Sequence, residues 1–359
     1  MESLRYNCVT SSRDNIDNVP GNHTENAPND VNFLNRWKVG FDRMLIAALG
    51  VTPFFDNTWS IGYQPESTWG SNGEGYTELS VALSILGAGG VGIGDMLGYE
   101  NVSLIMTTVS ADGTLLSPSR SSTYIDAVYL PSGTQAWNVS QGRILQAPSF
   151  IPSMNSSSFT LEVNKVSDLD NTFPVYMSVL SIDVSTTVAL SPQAFYPDLS
   201  FIATNTTGEY AVLAWSPGFT FLDSACSSGT RADACVSLFS PVNPLVINTG
   251  VAPVPYEHNF ELHSLSPIYA SGWALIGELA KFVRVSNQRF VWINGGDGSS
   301  TSFGLDVGVR GTANEVLSLA VYAPGPIPMI IRVPIVFATD SIVTVHCEGF
   351  GATAQCTVF

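Results

Sequence analysis

Leu86-Gly87-Ala88-Gly89-Gly90-Val91-Gly92-Ile93-Gly94-Asp95 is the stretch on which the reading of the fold turns. Gly87, Gly89 and Gly92 spell G-x-G-x-x-G, the pattern of a dinucleotide-binding turn. That turn requires a strand before the glycines and a helix opening after them, because the pyrophosphate rests on the helix N-terminus. Here the order is reversed. Glu78 to Leu86 carries apolar residues at helical spacing with no proline, and Gly90 to Asp95 is a short apolar run closed by a carboxylate. The stretch reads as helix, glycine turn, strand, acid. Nucleotide binding is rejected, and the order suggests one unit of a (β/α)8 barrel, whose chemistry sits at the C-terminal ends of its strands.

Working outward, the same rhythm is predicted upstream. Ser3 to Thr10 reads as a strand, and Val31 to Leu49 as a helix, with Phe33, Leu34, Trp37, Phe41, Leu45 and Ala48 on one face. Gly50 stops that helix. Val51 to Phe55 is the next predicted strand with Asp56 at its end, and a loop containing Trp59 leads to a helix over Tyr76–Leu86. Beyond Asp112-Gly113 the pattern changes to short alternating segments between turn residues. Examples are Phe173–Val184, Tyr210–Trp215, Val283–Val291, Val316–Tyr322 and Met329–Phe337. The expected fold class is therefore α/β plus all-β: the C-terminal part of a (β/α)8 barrel over residues 1–115, then an antiparallel β-sandwich over 116–359. A barrel needs eight strands. About three are read here, so the expectation is that an N-terminal portion is missing.

The 359 residues carry 30 acidic and 14 basic side chains, a net charge of −16. That balance argues against nucleic acid and anionic membranes as partners and leaves neutral ligands such as sugars open. Charged residues make up 12% of the chain, against about a quarter in an average soluble domain. No segment reaches the ~18 uninterrupted apolar residues of a membrane span. Of the five cysteines, Cys226/Cys235 and Cys347/Cys356 share one spacing across a polar loop. Each pair fits a hairpin disulfide, although four free thiols are the alternative, and Cys8 is left over. Five N-x-S/T sequons, beginning at Asn22 and Asn101, point weakly toward an extracellular location. The four histidines show no metal-ligand spacing, no G-x-S-x-G elbow occurs, and neither a metal nor a cofactor is expected.

Several segments together resemble a known family. Ser11-Ser12-Arg13-Asp14-Asn15-Ile16-Asp17, Ala47 to Gly50, Val51 to Trp59, Gly90 to Asp95 and Ala111 to Leu116 are similar in order and spacing to the raffinose synthase and alkaline α-galactosidase branch of glycoside hydrolase family 36. The resemblance is specific over residues 10–117. It implies a retaining mechanism, in which one carboxylate is the nucleophile and another serves as acid and then base. It assigns the acid/base to Asp17, and substrate binding to Arg13, Asp56, Trp59 and Asp95. Ile16 departs from the family's pair of acids. The strand that carries the family's nucleophile has no counterpart here, so the chain is expected to be inactive by itself. The reading is a fragment of a glycosidase or galactosyl-transferring enzyme acting on α-galactosides, prone to self-association through an incomplete barrel. The alternative is a non-enzymatic β-sandwich protein, sugar-binding or structural, with a vestigial barrel remnant.

Overall fold

The computed structural model describes residues 55–64, 77–125, 142–152, 174–200, 206–215, 235–250, 259–296 and 304–359. It opens with β1 (Phe55–Thr58), α1 (Thr77–Leu86), β2 (Val91–Ile93) and the short α2 (Val102–Ile105). β1 and β2 pair in parallel. The segment read as a helix before the glycines is a helix, with Glu78 in its first turn where a carboxylate suits the dipole. It ends where Gly87 and Ala88 hydrogen-bond back to Ser84 and Ile85. Leu79 to Leu86 are all buried, so α1 is surrounded rather than lying on a surface.

The rest of the described chain is mainly β-structure, with two single-turn 3-10 helices at Pro192–Ala194 and Gly351–Thr353. β3 (Thr123–Tyr124), β4 (Arg143–Phe150), β5 (Val175–Ile182), β6 (Val188–Leu190), β7 (Thr206–Trp215), β8 (Ser237–Phe239), β9 (Leu245–Ile247) and β10 (Phe260–Tyr269) come first. β11 (Ala274–Glu278), β12 (Phe290–Asn294), β13 (Gly304–Gly311), β14 (Val316–Ala323), β15 (Met329–Val336), β16 (Ser341–Glu348) and β17 (Gln355–Val358) follow. The largest sheet has the order β3-β4-β5-β10-β7-β8; a second is β11-β14-β15, a third β12-β13-β16-β17, and β6-β9 form a pair.

The side-chain period of two sorts the big sheet into two faces. One presents Ile144, Phe150, Val179, Met177, Val212 and Leu265 to a core that the β6–β9 pair and Phe195 complete. The other presents Leu145, Leu180, Leu262 and Trp215 to α1. Further along that second face, Ala211, Leu213 and Ile268 meet Ala274, Ile276 and Ala320 of the β11-β14-β15 sheet. The opposite side of that sheet, with Leu319, Val321 and Val333, packs on Val307, Val309 and Val345 of the four-stranded sheet. The molecule is thus a stack of β layers, with α1 and a small sheet side by side on the second face of the large one.

This corrects the expected fold class. Among the described residues β1–β2 is the sole parallel pairing, every other named ladder is antiparallel, and there are two α-helices. No third of a (β/α)8 barrel is evident; the fold is β-rich. The physical reason lies in what α1 covers. A barrel helix packs outside a ring of parallel strands, whereas α1 shares its core with antiparallel β4, β5, β7 and β10. The strand read over Val283–Val291 also differs. Val283 and Val285 alternate with polar residues, but strand geometry begins only at Phe290. The chain bends instead so that the Arg284 carbonyl accepts from Glu278 N at 3.0 Å. Gly277, at φ +94°, permits that approach: a Cβ there would stand 2.1 Å from the same carbonyl oxygen.

Candidate functional site

Beyond the C-terminal ends of β1 and β2 the chain ties a compact knot around Asp95. Its carboxylate accepts from Ser60 N at 3.0 Å to each oxygen, from Ser60 Oγ at 2.5 Å and from Gln64 Nε2 at 2.8 Å. Gln64 Oε1 in turn accepts from Met96 N, and Ser60 Oγ from Asn101 N. Ser60 and Gln64 are buried while Asp95 is half-buried. The knot fixes the start of α2, where Asn101 Oδ1 caps the helix by accepting from Leu104 N.

The predicted site residues fare differently. Arg13 and Asp17 lie outside the described residues. Asp56 falls inside β1 rather than at its end; its side chain is outside the described residues. Trp59 follows β1 directly and is half-buried. Asp95 sits where the sequence placed it, after β2, but its four accepted hydrogen bonds make it an organiser of the loops. Nothing in the sequence before Asp95 signals this, since Ser60 and Gln64 are separated from it by 35 and 31 residues.

The knot forms one border of a cleft of about 1050 Å³ between the α1–α2 segment and the β layers, lined by Glu78, Asn101, Trp215, Lys281, Glu315 and Arg332 among others. A volume of that size suits a small ligand. Trp215 Nε1 donates to Glu78 Oε1 at 2.8 Å, and its ring packs on Phe282 with centroids 4.9 Å apart. Lys281 Nζ donates to the Met106 and Val109 carbonyls, both at 2.6 Å. Burial draws its ammonium below the usual lysine range. Leu104, Leu279, Val316 and Leu317 supply an apolar wall.

Beneath the cleft lies a buried ionic triad. Arg289 Nε donates to Glu278 Oε1 at 2.7 Å, and its two terminal nitrogens to Glu315 at 2.5 and 2.9 Å. All three side chains are less than a tenth exposed. Glu315 also accepts from Ala111 N and Thr312 N, both at 3.1 Å. Burial alone would raise its carboxyl, but Arg289 and these backbone donors outweigh it and hold the pKa below the ordinary value. Ala111 belongs to the loop after α2, so the triad bolts that loop to the β layers. Of these groups, the sequence reading singled out only the Ala111 segment; Glu78, Trp215, Lys281, Glu278, Arg289 and Glu315 carry no local motif.

Cys347 and Cys356 form a disulfide across β16 and β17, and Cys235 is disulfide-bonded. Among the described residues no group of three or more His, Cys, Asp or Glu side chains is placed to hold a metal ion, and no helix is long and apolar enough to cross a membrane. No family model matches the chain, and no curated protein is similar to it.

Proposed function

We propose that this is a carbohydrate-binding protein of the α-galactoside-processing glycosidase lineage, and that the chain by itself binds a neutral galactoside in the cleft without cleaving it. The observation that carries the reading is the cleft: carboxylate, amide and ammonium groups of Glu78, Asn101 and Lys281 stand beside an apolar wall. Sugars present the same mixture of hydroxyls and C–H faces. The Asp95 knot supports it by fixing the rim at Asn101. The net charge of −16 favours an uncharged ligand over a polyanion.

Binding rather than turnover is the reading favoured by the described carboxylates at the cleft and its border, each of which is already engaged. A retaining glycosidase needs two carboxyl groups about 5–5.5 Å apart, free to attack and to donate a proton. Glu278 and Glu315 are held by Arg289, Asp95 by Ser60 and Gln64, and Glu78 accepts from Trp215. The test is a titration with methyl α-galactoside, followed by tryptophan fluorescence and by saturation-transfer NMR, beside an aryl α-galactoside turnover assay. Saturable binding weakened by Glu78→Gln, with no turnover, is expected. Turnover abolished by Asp17→Asn would replace this reading with a catalytic one; no binding and no turnover would remove it.

A second reading, self-association, is favoured by one specific surface. Ile93, Met96, Leu97, Tyr99, Val102 and Met106 are all exposed within a short stretch, Leu97 at 90%. A cluster of this kind is characteristic of interaction surfaces. Light scattering after size exclusion, comparing the native chain with Leu97→Lys, separates a dimer built on this patch from a monomer.

A further inference from the structure

The short helix α2 begins on a glycosylation sequon. Asn101-Val102-Ser103 has the N-x-S pattern, with no proline in the middle position or after the serine. The other sequon asparagines lie outside the described residues. All three residues of this one are exposed. Asn101 Oδ1 caps α2 by accepting from Leu104 N at 3.1 Å, and its backbone N–H donates to Ser60 Oγ at 2.8 Å. Its Nδ2 donates to none of the described residues. The oxygen of the side chain is engaged in the cap, and the nitrogen is left over.

We propose that Asn101 is a modification site that carries an N-linked glycan. The step joins Nδ2 to C1 of an N-acetylglucosamine delivered on a lipid diphosphate. The N–C1 bond forms, the bond from C1 to the diphosphate oxygen breaks, and the lipid diphosphate leaves with that electron pair. Nδ2 gives up one of its two protons. The amide oxygen is untouched, so the cap on Leu104 survives the modification. A bulky product needs a root at the surface, and Val102 beside it is 64% exposed. The disulfides supply an independent observation. Cys347 is bonded to Cys356 and Cys235 is also disulfide-bonded, and disulfides persist in the oxidising secretory route where such glycans are added. The root also stands among the exposed apolar side chains of Leu97, Tyr99, Val102 and Met106. Sugar rings offer C–H faces to such a surface, so the glycan covers it and keeps a second copy away. None of this depends on the galactoside reading: the bond is covalent and is read as a mass.

The experiment treats the full chain, purified from the cells that make it, with an amidase that releases N-linked glycans in heavy-oxygen water. Release turns a glycosylated asparagine into aspartate carrying one heavy oxygen, and peptide mass spectrometry locates it. The label is expected at position 101, and only when the amidase is present. Unmodified asparagine at that position would overturn the proposal. Ser103→Ala, expressed in the same cells, should lose the label at 101 completely while keeping the Asn101 cap; a label that persists would also count against the sequon. Because the reading is a mass, it holds whether or not the variant folds. Light scattering tests the covering role on the same two chains. The glycosylated chain should stay monomeric and the Ser103→Ala chain should shift toward the mass of a dimer. Equal masses of assembly, with the glycan present on Asn101, would overturn that role.

Discussion

Two carboxylate clasps hold the α1–α2 segment in place, and they are built on opposite principles. Asp95 is half-buried and is gripped by neutral donors, the Ser60 amide and hydroxyl and the Gln64 amide. Glu278 and Glu315 are buried and are gripped by a single guanidinium, with Glu315 reaching the loop through Ala111 N. The first loses little if weakened, because water can replace a donor at a half-exposed rim. The second cannot lose its cation without leaving two charges in a medium that solvates them poorly. The same functional group, a carboxylate, therefore fastens both borders of the cleft, but with different consequences for failure.

The contrast is sharpest at Arg289. Arg289→Met should cost about 3–5 kcal/mol, the usual result of stranding buried charge, and urea unfolding measures it. A loss below about 1 kcal/mol would break the comparison at its stronger end.

A buried titratable ring with only a loose carboxylate neighbour, Glu261 Oε2 at 3.7 Å from His263 Nε2, extends the series. His263 Nδ1 has no hydrogen-bond partner. Burial, helped by the charge of Arg284, lowers the ring's pKa to about 4. The unfolded chain takes up that proton near pH 6.5 and the folded one only near 4. Stability is then complete above pH 6.5 and falls as pH drops toward 4, by about 3 kcal/mol in all. His263→Leu should flatten this limb of a stability–pH profile; an unchanged limb would assign acid sensitivity elsewhere.

Asp95→Asn comes next, at about 1–2 kcal/mol, since an amide retains one acceptor for the Ser60 and Gln64 donors. Hydrogen exchange should quicken at Ser60, Met96 and Asn101 before it does in the β layers. Equal loss at Asp95 and Arg289 would erase the distinction between the clasps.

The smallest effect belongs to His346, whose Nδ1 lies 2.5 Å from Asp306 Oδ1 on the outer face of the four-stranded sheet. The bond to Asp306 raises the imidazole above its ordinary value. Its contribution is present below pH 6.5 and fades as pH rises through the raised pKa, well under 1 kcal/mol at such exposure. An NMR titration of the ring, in the native chain and in Asp306→Asn, reads the shift and its cause.

Local periodicity made much of the secondary structure legible. The helix expected over Tyr76–Leu86 runs Thr77–Leu86, and the strands expected near Tyr210–Trp215, Val316–Tyr322 and Met329–Phe337 are β7, β14 and β15. The layering was not legible, because α1 reads the same whether its neighbours are parallel or antiparallel strands. Only the pairing partners, distant in sequence, decide that. The position of Asp95 after β2 was legible, but its part in holding the loops was not, and Trp215, Lys281 and Arg289 were illegible altogether. These meet across separations of up to 175 residues, with side chains that anywhere else would be ordinary surface or core. Val283–Val291 misled for a related reason. Its alternation is real, but Arg284 and Arg289 are buried, so the segment serves charges rather than a ladder.

The order β3-β4-β5-β10-β7-β8 also has a consequence in time. β10 is the last of these strands to be synthesised, yet it lies in the middle, between β5 and β7. While the ribosome works, β5 keeps one edge open for roughly 80 further residues, which at about 5–20 residues per second is some 4–16 seconds. That edge is flanked by side chains meant for two hydrophobic cores. The nascent chain is therefore most vulnerable to wrong pairing in the interval before Phe260 emerges, and a pause in translation upstream of that point would lengthen it.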